Sequence, residues 1–122
     1  MRQSVRIGAD YVRAEIHGRE TAEQTRQFVA AQLAALRESG LRKLLVSVRR
    51  SSALFKVEGW DLSRTLDDMA GMAGLKVALV SDSPELASSH QYVELLARQR
   101  RLDFRSFRDE STAVQWLLSA ET

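Results

Sequence analysis

Two strand-like segments open this chain, and behind them strands and helices alternate to its end. That order constrains the fold more than any other feature. Val5–Ile7 and Tyr11–His17 form the opening pair. A helix ending near Gly40 follows, then the strand Leu44–Val48 and a helix starting near Trp60. The strand Leu75–Ser81, a helix after Pro84, the strand Leu102–Phe107 and a helix after Asp109 complete the series. At 122 residues the chain makes one domain, 1–122, large enough to bury a core without staples.

Local chemistry supports each assignment. Val5 and Ile7 alternate with polar neighbours, as do Val12, Ala14 and Ile16, and Gly8-Ala9-Asp10 lies between the two runs. This predicts a β-hairpin with one buried face and with Tyr11, Arg13 and Glu15 on the other. Thr21 and Gln24 have the spacing of a capping box. Phe28, Val29, Leu33 and Leu36 continue from it as an apolar helical stripe. Gly40 supplies a left-handed stop. Leu44-Leu45-Val46-Ser47-Val48 and Leu75-Lys76-Val77-Ala78-Leu79-Val80 alternate too little for half-exposed strands. Such runs suit the interior of a parallel sheet covered on both faces. Leu62, Leu66, Met69 and Met72 carry the second helix, which stops around Gly71–Gly74. Ser83-Pro84-Glu85 starts a helix with a cap, a proline at its first position and an acidic first turn. Leu86, Val93, Leu96 and Ala97 mark the buried side of that helix. Phe104 and Phe107 sit on a more polar strand, which predicts an edge. Asp109 caps the last helix, with Ala113, Val114, Leu117 and Leu118 inward.

Strands joined through helices run parallel, with right-handed crossovers. The expected fold is therefore α/β: a five-stranded mixed sheet with four helices, in the order ββαβαβαβα. Val46, Val77, Leu79, Phe28 and Leu33 are the expected core. Ligands of open α/β sheets gather off the carboxyl ends of the strands. Here those ends are His17-Gly18-Arg19, Arg49 to Ala53, Ser81-Asp82-Ser83 and Phe107-Arg108.

Composition removes several functions. With no cysteine there is neither disulfide nor thiolate chemistry. No apolar run reaches the length of a membrane span, and no charged-then-apolar leader opens the chain, so the cytoplasm is the expected location. A net charge of +2 is too small for the usual nucleic-acid binder. Arginine supplies 15 of the 18 basic residues, which fits compositional bias as readily as anion recognition. Arg98, Arg100 and Arg101 cluster where cations complement a helix dipole. Neither His17 nor His90 has a second ligand at metal spacing, so no metal and no other cofactor is expected. Asp67-Asp68 lies within a helix, where paired carboxylates form a solvated face. Gly18, Gly59, Gly71 and Gly74 make no dinucleotide or phosphate-loop pattern. A receiver domain would begin strand–helix and carry acidic strand ends, which this chain does not.

The chemistry-bearing residues collect at the predicted strand ends. Ser51-Ser52 beside Arg49-Arg50 could bind an anion or accept a phosphate, or could simply form a capping loop. Trp60, after Gly59, could wall a pocket or anchor its own helix. Ser81-Asp82-Ser83-Pro84 places free amides after a buried strand, which suits an anion and equally suits capping alone. His17, Ser51 and Asp82 could be drawn as a triad, but there is no nucleophile elbow.

The element order resembles that of STAS domains, the group that includes anti-sigma-factor antagonists. Particular residues resemble the SpoIIAA-like family of small bacterial proteins more closely. They are Phe55 through Gly59-Trp60-Asp61-Leu62, Asp67-Asp68, Lys76-Val77-Ala78-Leu79-Val80-Ser81-Asp82, Phe107-Arg108-Asp109-Glu110 and Ala113-Val114-Gln115-Trp116-Leu117. The resemblance implies a non-catalytic regulatory domain that binds a protein partner or a small acidic or lipidic ligand. Homodimers belong to the same expectation. STAS antagonists are switched by phosphorylation of a serine in an Asp-Ser-Ser-Gly motif. The corresponding text here is Arg50-Ser51-Ser52-Ala53, with arginine for the acid and alanine for the glycine. Ser51 and Ser52 are accordingly the candidate phosphoacceptors.

The expected binding face joins His17, Arg49, Arg50, Trp60, Ser81 and Asp82. Three readings differ in what they require. A protein partner calls for an exposed apolar patch around Arg49–Gly59 and no large cavity. A small ligand, with a pocket near Trp60, calls for an enclosed apolar pocket with a few polar groups. An enzyme calls for His17 within hydrogen-bond reach of a serine hydroxyl.

Overall fold

A computed structural model describes residues 2–51 and 62–119. Within them lie β1 (Arg2–Ile7), β2 (Val12–His17), α1 (Ala22–Ser39), β3 (Lys43–Arg49) and α2 (Leu62–Ala70). They continue with β4 (Lys76–Ser81), α3 (Pro84–Arg98), β5 (Asp103–Phe107) and α4 (Glu110–Leu118). The strands form one five-stranded sheet in the order β1-β2-β3-β4-β5. β1 is antiparallel to β2, and every later pair is parallel. This is the α/β architecture and element order expected from the sequence.

The caps work as their residue types predict. The Thr21 hydroxyl accepts the Gln24 N–H at 3.1 Å, while the Gln24 side-chain oxygen accepts the Thr21 N–H at 3.2 Å. Gly40 closes α1 at φ 75°, a left-handed conformation that costs a side-chain-bearing residue more, and its N–H reaches the Leu36 carbonyl. Ser83 and Asp109 accept the N–H groups of Leu86 and Thr112 at the starts of α3 and α4.

The strand order decides where the helices go. Each crossover from β2 onward steps to the next strand in the same direction. Right-handed connections of that kind place α1, α2 and α3 on one face. The main core lies there: Val12, Ala14, Ile16, Val46, Val77 and Leu79 face Phe28, Leu36, Leu66 and Val93. All five expected core residues are buried. On the opposite face, Leu45, Ala78 and Val80 pack beneath Ala113 and Leu117 of α4. β3 and β4 are thus covered on both sides, as their unbroken apolar runs require.

The hairpin departs from its sequence pattern. β1 begins at Arg2, three residues earlier than the apolar alternation suggests, and pairs with β2 through six registered positions. Its backbone ladder recruits Arg2, Gln3 and Ser4, whose side chains are exposed. Ile7 shares the core-side face with Val12 but remains 45% exposed, because an edge strand has a neighbour on one side only. The basic cluster beyond α3 is tied locally: Arg98 pairs with Glu94, and Arg100 reaches Asp67 at 2.8 Å.

Lys76 is buried within β4 and fastens the end of α4. Its Nζ donates to the Trp116 carbonyl at 2.7 Å and to the Ser119 hydroxyl at 3.2 Å, and it lies 4.5 Å from the Trp116 ring centroid. Lys76→Met should keep the aliphatic stem and lose the tether. A loss of about 1–3 kcal/mol is expected from charged hydrogen bonds of this kind. Urea denaturation would measure it, with hydrogen exchange in α4 rising first. Unchanged stability would show that the tether contributes nothing.

Candidate functional site

The carboxyl ends of β2, β3 and β4 meet the amino end of β1, because β1 alone runs the other way. This brings Arg2, His17, Gly18, Arg49, Arg50 and Asp82 around one shallow groove. Four of the sequence-predicted site residues are therefore neighbours: His17, Arg49, Arg50 and Asp82. Arg50 turns with φ 49°, and Asp82 holds the turn by accepting the Arg50 N–H at 3.1 Å. His17 and Arg49 lie 3.4 Å and 3.7 Å from the Glu15 carboxylate. Arg49 also approaches Glu110, which pairs with Arg13 through two nitrogens. The groove's cations are thus partly answered by carboxylates on the α4 side of the sheet.

The other predicted site residues sit elsewhere. The Ser81 side chain is buried, and its hydroxyl meets no hydrogen-bond partner among the described residues. The alternation along β4 points it to the main-core side. Ser51 lies behind the groove rim and clamps two strand ends. Its hydroxyl accepts the Arg19 N–H at 2.9 Å and donates to the Arg49 carbonyl at 2.9 Å. The Ser51 hydroxyl is engaged by those two backbone groups, and the His17 ring lies beside Glu15. Ser52 and Trp60 lie outside the described residues.

A sheet order that never reverses has no switch-point crevice between helices on opposite faces. The deeper space lies under the helix layer. A cavity of about 60 Å³ sits between α1, α2, α3 and the sheet. Phe28, Val46, Met69, Val77, Val93 and Phe104 supply much of its wall, which is mostly apolar. Arg19, Thr25, Gln32 and His90 bring polar groups to it. Arg19 and His90 are each 2% exposed. Burial pushes the Arg19 guanidinium down to about 10, so it stays charged at neutral pH. Burial first, and the Arg19 charge second, push His90 down to about 4, so its imidazole is neutral.

Gln32 and His90 are not among the site residues expected from the sequence, and Arg19 enters there only as the last residue of the strand end His17-Gly18-Arg19. A signal for His90 was present. Leu86, His90, Val93 and Ala97 share one helical face, and the apolar three of them mark it as the inward one. Gln32 likewise shares a face with Phe28 and Leu36. Arg19 carries no helical-face signal, since α1 starts only at Ala22; its place at the end of β2 is its one mark in the sequence.

No protein-family model matches this chain, and no curated protein or solved structure does either. Among the described residues no group of three histidine, cysteine or carboxylate side chains is placed to hold a metal ion, and no helix is long and apolar enough to cross a membrane.

Proposed function

We propose that this chain is a non-catalytic binding domain of SpoIIAA-like, STAS type, with a small apolar ligand held between the helix layer and the sheet. The observation that carries this reading is the cavity of about 60 Å³, apolar but for a few converging polar groups. Native mass spectrometry of the protein purified from its own host tests it. A co-purifying small molecule, lost on denaturation, is expected. The same compound should shift methyl and ring signals of Phe28, Val77 and Phe104. A protein that carries no such molecule, with these signals unmoved by a library of small apolar compounds, would overturn the reading.

A second reading is supported by the groove of Arg2, His17, Arg49 and Arg50 at the strand carboxyl ends. Its charge suits an acidic protein partner, with regulation through binding in the cytoplasm. Ser51 is the switch residue in this reading. A phosphate on its hydroxyl would break the clamp between Arg19 and Arg49 and alter the groove. Ser51→Ala should then abolish phosphate incorporation in the host and leave the unmodified protein's partner bound. Phosphoproteomics that finds no modified Ser51, together with unchanged partner binding by the variant, would end this version.

A further inference from the structure

The two edges of the sheet are not alike. At the β5 edge the outward Ser106 N–H is already taken by the Glu94 carboxylate at 2.9 Å. An edge guarded by a charged side chain is a poor template for another chain. At the other edge β1 runs through six registered positions without proline or bulge. The hairpin closes with the Gly8 N–H on the Tyr11 carbonyl at 3.0 Å, so Arg2, Ser4 and Arg6 turn their backbone groups toward β2. Gln3, Val5 and Ile7 turn theirs outward, and no hydrogen bond reaches those groups among the described residues.

Side chains decide which strand fits this edge. Arg6 faces Arg13 across the hairpin, a like-charge pair that costs stability. Arg6 is exposed and forms no ion pair among the described residues. Ser4 faces Glu15. A second β1 laid antiparallel, with Val5 opposite Val5, sets Gln3 against Ile7 on either side. Every outward group is then paired, in about six backbone hydrogen bonds, two for each facing pair. The same register puts Arg6 opposite Ser4 of the second copy, and behind that serine stands the second copy's Glu15. Backbones two strands apart are about 10 Å apart, a gap that arginine and glutamate side chains close over a serine. Each Arg6 thus gains a carboxylate, twice by symmetry. Ile7, 45% exposed, gains a neighbour on its open side. The next registers on either side would set Arg2 directly against Arg6, or Arg6 against Arg6. We propose that this chain forms a two-fold dimer by antiparallel pairing of its β1 edges about Val5, joining two five-stranded sheets into one. The association requires neither of the occupants proposed above.

Sedimentation velocity of the full chain over a dilution series should show a reversible monomer–dimer equilibrium. Amide hydrogen exchange should slow at Gln3, Val5 and Ile7 as concentration rises, while Ser4 and Arg6 stay protected throughout. A sample mixed from labelled and unlabelled chains should show an intermolecular contact between the Ser4 and Arg6 α-protons, which a non-hydrogen-bonded pair brings close. Val5→Pro removes an N–H that points away from β2, so it breaks the central pair and spares the hairpin ladder. It should weaken the dimer at least about tenfold. Arg6→Glu should also weaken the dimer. It should leave the monomer's thermal midpoint unchanged or higher, because the new glutamate faces Arg13. That variant serves if proline disturbs the folding of β1. A monomer at every concentration up to millimolar would overturn the proposal, even if the edge then accepted another protein's strand. A dimer whose Val5 amide exchange ignored concentration would overturn it too, since another surface would hold the copies together. Wild-type affinity in Arg6→Glu, with no contact between the Ser4 and Arg6 α-protons, would overturn the register and the proposal with it.

Discussion

Acidification from neutral pH to about pH 4.5 should cost this protein about 2–3 kcal/mol of folding stability through His90 alone. The imidazole takes up its proton near the ordinary value of 6.5 in the unfolded chain, whereas in the folded chain burial delays protonation until about 4. Between those values the unfolded state binds more protons than the native state. Stability therefore rises with pH across this window. The contribution is fully present above 6.5 and is lost as pH falls toward 4. Arg19 adds to the effect, since a second positive charge beside it is unfavourable. Asp109 does not interfere. Its carboxyl is held below the ordinary value by hydrogen bonds from the Thr112 N–H and hydroxyl, so its contribution disappears at lower pH still. Urea titrations at a series of pH values would show the slope. His90→Phe should flatten it, with His17 still present in both chains. A variant with the wild-type slope would mean that His90 is not the group responsible.

Leu36→Ala should be among the most damaging single truncations in the main core. Leu36 is 0% exposed and lies in the last turn of α1, where its carbonyl also takes the Gly40 N–H. Removing its buried side chain should cost about 3–5 kcal/mol, in the upper part of the range for leucine truncation. Leu33, at 8% exposed, should cost less, about 2–3 kcal/mol. A domain of this size has total stability on the order of 5–15 kcal/mol, so the first variant should be close to unfolding at moderate temperature. Denaturant midpoints would rank the two. If Leu33→Ala proved the more damaging, the centre of the buried face of α1 would lie nearer Leu33, about 60° around the helix from Leu36.

The placement of both residues reflects how far local pattern reaches. Thr21, Gly40, Ser83 and Asp109 announce their helix ends because a cap is made by neighbours in sequence. Leu44–Val48 and Val77–Val80 announce interior strands because burial on two faces removes the polar alternation. The added length of β1 was not visible. Arg2, Gln3 and Ser4 join the sheet through their backbone, and backbone pairing leaves no mark on side-chain pattern. His17, Arg49, Arg50 and Asp82 were legible as a group because parallel strands put their carboxyl ends together. Ser81 belongs to the same strand end, yet the period of two turns it inward while Asp82 faces out.

By itself, the sequence determined the element types, their caps, the hairpin-then-alternation order and most of the core, because each depends on short-range periodicity. Only the tertiary structure decided that three helices share one face, that β1 closes the groove with Arg2, and that Arg19 and His90 meet at one cavity. Those residues are 71 positions apart in sequence. Their meeting depends on strand order and crossover hand, which bring together groups that no local spacing connects.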